Sequence, residues 1–258
     1  MIEIRACAGL DEMEACVQLE LDIWGYDAGD IVPRKSFLLS QKIGGQVIGA
    51  FDSEMGEVRQ ANGLVGFVYS LPAFKNTSRG PAPYLHSHML AVRESHRNRG
   101  VGAQLKLEQR REALARGIRH IEWTFDPLEM KNAFLNIHKL GAIARSYRVN
   151  FYGVSSSRLQ GGLPTDRLLA EWDLDSPRVE AILSQRPADH HRIQEQILVP
   201  SAVGQWKASE ATRAKALAVQ QENQLKFQDA FRRGLVVLDV SRDTEGNGVY
   251  ELGPLPVD

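Results

Sequence analysis

The chain contains little cysteine and no long apolar run. Cys7 and Cys16 are the only cysteines among its 258 residues, and they lack the CxxC spacing of redox and zinc motifs. No apolar stretch approaches the roughly 20 residues that cross a bilayer, and the N-terminus lacks the basic start and apolar segment of a signal peptide. We therefore expect a cytoplasmic protein with buried free thiols and no membrane association.

An excess of charge of one sign is also absent. Lys and Arg number 31 against 32 Asp and Glu, which gives a formal net charge of −1. The basic footprint of a nucleic-acid-binding protein is therefore missing, and we expect no nucleic-acid partner. Apolar residues make up 43% of the chain and charged residues 24%, an ordinary globular composition. The length fits one large domain, or one domain with a sizeable extension.

Hydrophobic periodicity predicts an α/β (α+β) fold, in which a mixed central sheet carries helices on its faces. The predicted strands are residues 2–6, 46–51, 62–71, 85–92, 120–125, 142–152 and 167–174, and the predicted helices are 10–24, 33–40, 103–116 and 132–140. Residues 76–83 are rich in Pro, Gly and polar side chains and are expected to form no regular element. After residue 174 the pattern changes, and we assign 175–258 to a C-terminal α/β extension that packs on the core or on a second subunit.

A short basic turn between a strand and a helix carries the clearest chemical signal. Its sequence is Arg97-Asn98-Arg99-Gly100-Val101-Gly102. The first backbone N–H groups of a helix lack intrahelical partners, and the helix dipole adds partial positive charge there. The two glycines allow an anion to approach closely, and the two arginines add full charges. The turn therefore predicts an anion cradle suited to a pyrophosphate, and a solvated basic loop is the alternative.

With the strand Leu-x-Val before it and Asn132-Ala133 opening a later helix that ends at Gly141, this turn resembles the GNAT family of acyl-CoA N-acyltransferases. That family's pyrophosphate loop is written Q/R-x-x-G-x-G/A. The resemblance covers residues 2–174. The strings HSHMLAV at 86–92, WTFDPL at 123–128 and PTDRL at 164–168 look like a bacterial branch of the family with a C-terminal extension.

The resemblance implies a twisted, mostly antiparallel sheet and an acyl-CoA donor such as acetyl-CoA. It also implies a bulged strand at 85–92 that splays from the strand at 120–125. The donor-binding residues that it implies are Leu90, Ala91 and Val92 for the pantetheine arm, Arg97, Asn98, Arg99, Gly100, Val101 and Gly102 for the pyrophosphate, and Asn132 beside the pantetheine. The sequence has no strong zinc-like ligand spacing, so we expect no metal.

The proton-transfer groups depart from the family pattern. Many members carry a tyrosine four residues before the glycine that ends the helix, but here that position is Ile137, which cannot donate a proton. Tyr147 or Tyr152 could replace it, or the thiolate leaves without an acid. His88 and Asp126 are the candidate bases. The alternatives are a hydrogen-bonded core histidine for His88 and a turn-capping carboxylate for Asp126.

The expected function is direct transfer of an acyl group from the CoA thioester to a primary amine in a ternary complex. Neither cysteine lies at a plausible nucleophile position, which argues against a covalent intermediate. A non-catalytic acyl-CoA sensor or scaffold is the alternative. The acceptor, a small-molecule or protein amine, and the acyl group, acetyl or succinyl, stay open, as does a homodimer.

Overall fold

The computed structural model describes residues 1–55, 63–78, 80–186 and 192–255. The chain divides into two compact units, Met1–Glu122 and Trp123–Asp258. The division falls inside a strand, whereas the boundary expected between residues 174 and 175 lies within the second unit. That boundary stays a prediction.

The first unit is built on a mixed, largely antiparallel sheet. Its strands are β1 (Ile2–Ala6), β2 (Gln46–Asp52), β3 (Leu64–Thr77), β4 (Gly80–Val92) and the start of β5 (His120–Phe125), and its helices are α1 (Gly9–Trp24), α2 (Arg34–Lys42) and α3 (Val101–Ala115). Strands β1 to β4 pair antiparallel in chain order. The start of β5 runs parallel to β4, with Leu85 opposite Ile121 and His86 opposite Glu122.

Helices cover both faces of this sheet, which confirms the predicted layering. On one face α1 and α2 bury residues at helical spacing, Met13, Cys16 and Leu19 among them, against aromatic and apolar side chains of β3 and β4. On the other face α3 places Val101 and Leu105, one turn apart, against β2 and β3.

The β3–β4 hairpin is longer than predicted. Residues 76–83 were expected to form no regular element, and Pro72 was expected to end its strand. The structure contradicts both expectations, because β3 runs on to Thr77 and β4 starts at Gly80. Pairing of β4 with β5 includes only Leu85 and His86. The first part of β4 therefore needs no N–H donors on that side, and a strand edge tolerates proline there.

The second unit contains a sheet in the order β5-β7-β6-β9-β10-β8. Its further strands are β6 (Ile143–Arg148), β7 (Arg167–Asp173), β8 (Glu195–Val199), β9 (Leu235–Arg242) and β10 (Gly248–Pro254). Strand β9 pairs antiparallel with β6, with Ala144 opposite Val237. Residues from beyond position 174 therefore continue the sheet that β5, β6 and β7 begin.

The helices of the second unit are α4 (Met130–Ala133), α5 (Pro177–Leu183), α6 (Val203–Ala208) and α7 (Arg213–Arg232). The predicted helix at 132–140 is present, but after α4 it continues as a π-helical segment, Phe134–Lys139. The short α6 has no counterpart in the sequence prediction. Within the described ranges, no helix is both long and apolar enough to cross a membrane.

Candidate active site

The turn between β4 and α3 is exposed and carries two left-handed residues. Asn98 has φ 61° and Gly100 has φ 80°, a region that glycine enters freely and asparagine more readily than most residues. Residues 97–100 are all exposed. A Cβ at Gly100 would meet nothing within 4 Å, so backbone conformation rather than crowding within the protein favours glycine at this position.

Buried contacts anchor the start of this turn. His96 is 5% exposed, and its Nε2 donates to the Asp52 carboxylate at 3.1 Å while Ser95 Oγ lies 2.8 Å from Nδ1. Hydrogen bonds from the Glu54 backbone N–H and from His96 lower the pKa of Asp52 to about 2. Arg93 Nε donates to the Leu64 carbonyl at 3.1 Å. These contacts join the start of the turn to the end of β2 and the start of β3.

The N-terminus of α3 faces this tip without a side-chain cap. Helix α3 begins at Val101 after the left-handed Gly100, and this N-cap residue has no side chain with which to cap the first turn. Arg97 Nε donates to the Val92 carbonyl at 3.0 Å, which holds the arginine against the end of β4. Uncapped N–H groups and arginine charge on one turn are the elements of an anion site.

A β-bulge interrupts β4 at His88. Tyr69 lies opposite Met89 and Ser70 lies opposite Ser87, so His88 is the extra residue. In an unbroken strand residues 87 and 89 would share a face. Here Ser87 contacts α3, whereas Met89 packs in the core cluster of α1 and α2. The bulge expected from the family resemblance is therefore present. It changes the direction of the side chains of β4 at His88, which is itself a candidate base.

The His88 side chain is exposed and lies beside Tyr69, a member of the core cluster of α1 and α2. Its ring lies edge-on to Tyr69, with centroids 6.0 Å apart, and 6.3 Å from the His86 ring. Although the side chain is exposed, surrounding protein partly desolvates the imidazole and lowers its pKa, and repulsion from His86 acts in the same direction. The neutral, proton-accepting form is therefore favoured near neutral pH.

An ionised carboxylate lies beside these histidines. Glu122 Oε2 lies 3.6 Å from His120 Nε2, and Oε1 lies 4.0 Å from His86 Nδ1. Hydrogen bonding to His120 and then to His86 holds the pKa of Glu122 well below its usual range. The same face of the first unit therefore combines a candidate base with a fixed negative charge, which suits an amine or ammonium group.

Asp126, the other candidate base, is engaged by the C-terminal part of the chain. Its Oδ2 accepts from Lys207 Nζ at 2.7 Å, and its Oδ1 accepts from the Leu128 N–H at 2.8 Å. Burial opposes the charge of Lys207, but Asp126 and Glu129 raise its pKa overall. The sequence contained no signal for Lys207. The role of Asp126 as a base or amine ligand stays a prediction.

The remaining site residues of the second unit have structural partners. Tyr147 OH donates to Asp166 at 2.7 Å, and burial, followed by this hydrogen bond, raises its pKa well above the usual value. Exposed Asn132 accepts from Asn136 Nδ2 at 3.2 Å, and Ile137 is fully buried. The roles of Tyr147 and Asn132 stay predictions. Within the described part of the chain, no group of three or more His, Cys, Asp or Glu is arranged to bind a metal ion.

The sequence analysis did not identify one buried carboxylate in α1. Glu20 is fully buried, and its Oε2 accepts from the Val32 N–H at 3.0 Å. Its Oε1 has no hydrogen-bond partner among the described residues. Burial raises the pKa of Glu20 from 4.5 to about 7. An isolated glutamate in an amphipathic helix is normally a solvated residue, so only tertiary packing identifies this one.

We expect Glu20 to make the protein less stable as the pH rises. The folded state holds the proton up to about pH 7 and the unfolded chain only to 4.5, so stability falls between these values, by about 3 kcal/mol for this group. The neutral Glu20→Gln variant should lack this fall. Urea unfolding from about pH 4.5 to about pH 8 measures it, with exposed Glu14→Gln as the control. Equal pH slopes for wild type and Glu20→Gln would contradict the assignment.

Comparison with known proteins finds similarity to an acetyltransferase family model and to solved structures. The model of the acetyltransferase (GNAT) family matches residues 17–138. Arabidopsis thaliana NAA60 in complex with acetyl-CoA is 17% identical, with a TM-score of 0.53 over 67% of this chain and 99% of that chain. The NatC complex bound to Gag peptide and CoA is 12% identical, with a TM-score of 0.50 over 67% and 98%. At these identities the structural similarity establishes the fold alone, and the search of curated proteins found no match.

Proposed function

The chain belongs to the GNAT family of acetyltransferases through its domain at residues 17–138, and from this premise we propose that it transfers an acetyl group from acetyl-CoA to a primary amine. The uncapped, arginine-bearing turn before α3 is the observation that carries the proposal. In this proposal both substrates are bound together and the acetyl group moves directly between them. Most of the rate then comes from positioning and from polarisation of the thioester carbonyl.

The donor site lies on the first unit. The exposed turn at residues 97–100 and the first N–H groups of α3 bind the pyrophosphate, with Arg97 and Arg99 supplying charge. The backbone of Leu90, Ala91 and Val92, just after the bulge, binds the pantetheine arm, and one of its N–H groups polarises the thioester. The acetyl-CoA seen with NAA60 supports this choice of donor.

His88 is the base in this proposal. It is exposed at the bulge, and desolvation lowers its pKa and favours the neutral form. Glu122, among His86 and His120, adds a negative charge on the same face that attracts the acceptor's ammonium group. Asp126 is less suited as the base, because it already accepts a hydrogen bond from buried Lys207. Tyr147, a candidate acid, is less suited to that role, because it already donates its hydroxyl proton in a hydrogen bond to buried Asp166.

The cysteines support transfer without an acyl-enzyme intermediate. Cys7 and Cys16 are both buried, 4.0 Å apart, between β1 and α1. The hydrogen bond with the Cys7 thiol, followed by desolvation, raises the pKa of Cys16 well above its ordinary value, so it is a poor nucleophile. A direct attack of the amine on the thioester needs neither thiol.

A panel of amines tests the activity. The protein is incubated with acetyl-CoA and small-molecule or peptide amines, and release of free CoA thiol is measured alongside N-acetylation by mass spectrometry. We expect thiol release equal to the amount of acetylated amine. Tight acetyl-CoA binding without thiol release for any amine would indicate a sensor or scaffold instead.

Replacement of Gly102 by valine should weaken acetyl-CoA binding. Gly102 lies in the first turn of α3, where a branched side chain blocks the approach of the pyrophosphate. We expect Kd to rise about tenfold or more, equivalent to about 1.4 kcal/mol. Calorimetric titration measures the affinity, and thermal unfolding checks that the fold is unchanged. A variant that binds as tightly as wild type would contradict the location of the cradle.

A further inference from the structure

A hydrogen-bonded network of five buried polar residues lies beside the bulge, on the face covered by α3. Lys106 Nζ donates to Ser87 Oγ at 3.0 Å and to Gln109 Oε1 at 2.8 Å. Gln46 Nε2 donates to the Gln109 carbonyl at 3.0 Å, and Ser70 Oγ donates to Gln46 Oε1 at 3.2 Å. All five residues are at most 6% exposed.

This network coincides with the register shift of the sheet. Gln46 lies opposite Ser70 in the β2–β3 pair, and Ser70 lies opposite Ser87 in the β3–β4 pair. The three polar residues therefore form a row across three strands, and the next residue of β4 is the bulged His88. Lys106 reaches this row from α3 and contacts its last member.

Burial of this lysine is costly. A fully buried amine loses its hydration, and this desolvation lowers the pKa of Lys106 well below its usual range. A methionine would fill similar volume without that cost, and replacing buried polar groups with apolar ones often stabilises a protein. The network is therefore poorly explained as a source of stability, and its position at the bulge indicates a role in defining the geometry of the strand.

We propose that Lys106 is a positioning residue, which fixes the bulge through its hydrogen bond to Ser87 and thereby holds His88 at the acetyl-transfer site. The kinetic part of this inference rests on the proposed function. Without this network, β4 can slip by one residue at this point, and a one-residue slip moves side chains to the opposite face. The backbone at Leu90 to Val92 would shift with it.

Lys106→Met removes the donor and keeps the length of the side chain. We expect kcat to fall about 10- to 100-fold with KM for acetyl-CoA nearly unchanged, because misplacing a reacting group costs this much. The NMR resonances of the His88 imidazole and of the amides of residues 87–89 should shift, and the His88 titration should move. Lys42→Met, the same change at an exposed site of α2, should alter none of these.

A second variant keeps the proposal testable if Lys106→Met does not fold. Ser87→Ala should reproduce the kcat loss and the NMR shifts, and the double variant should be no worse than the more impaired single variant. Unchanged His88 resonances and kcat in both single variants would overturn the proposal, as would a loss of stability alone. A wild-type protein without acetyltransferase activity would refute the proposed function. The NMR measurement needs no turnover, so it would still decide whether Lys106 positions His88.

Discussion

Replacement of His88 by glutamine should lower kcat/KM for the amine about 10²- to 10⁴-fold, the usual contribution of a general base. The His88 pKa is lowered by desolvation and by His86. The wild-type rate should therefore rise with pH through a midpoint below about 6.5, the ordinary value for histidine. This acidic limb should be lost in His88→Gln. A pH–rate profile measured with saturating acetyl-CoA checks both expectations.

Two further histidine variants sharpen this test. His86→Gln removes the neighbouring charge, so the acidic limb should move to higher pH. His138→Gln changes an exposed histidine that pairs with Asp239, and we expect its profile to match that of wild type. If His88→Gln keeps the wild-type limb, the base is a different group or the acceptor amine itself.

Replacement of Lys207 by methionine should destabilise the second unit by about 3–5 kcal/mol, because it leaves buried carboxylate charge unpaired. Lys207 is 3% exposed, and its Nζ lies 2.7 Å from Asp126 and 2.9 Å from Glu129. Urea unfolding measures the loss.

The matched control is Lys226→Met, which removes an exposed ion pair with Glu222 and should change stability by less than about 1 kcal/mol. Adding Asp126→Asn to Lys207→Met should recover part of the loss. If Lys207→Met unfolds like wild type, the ion pair does not anchor the end of β5. Asp126 would then be available to an amine.

Local signals in the sequence were sufficient to predict most helices and strands and to propose the candidate anion cradle. The cradle depends on an arginine-bearing turn with glycines at the start of a helix, which are neighbours along the chain. Helical spacing and the glycines at 117 and 141 also placed α3 and the segment after α4. The prediction for the hairpin was wrong because prolines at 72, 81 and 83 disfavour the interior of a paired strand. Only the sheet topology reveals that the first part of β4 pairs with β3 and has no strand on its β5 side.

Residues that act through distant partners could not be identified from the sequence. Lys207 lies 81 positions from Asp126, and Lys106 lies 19 positions from Ser87. Lysines in amphipathic helices are usually solvated, so nothing local distinguishes these two. Glu20 was not identified either, because glutamates in amphipathic helices are also usually solvated. The family resemblance indicated a bulge, and the register identifies His88 as the bulged residue.

Comparing two ligands by calorimetry tests the central claim most directly, namely that the turn before α3 binds the pyrophosphate of acetyl-CoA. Acetyl-CoA and acetyl-pantetheine share the thioester and the pantetheine arm, and only acetyl-CoA carries the pyrophosphate, together with the 3′-phosphoadenosine joined to it. We expect acetyl-CoA to bind at least about 100-fold more tightly, a difference of about 2.7 kcal/mol, and Gly102→Val to reduce this preference. Equal affinities of the wild-type protein for the two ligands would show that the turn is not a pyrophosphate site.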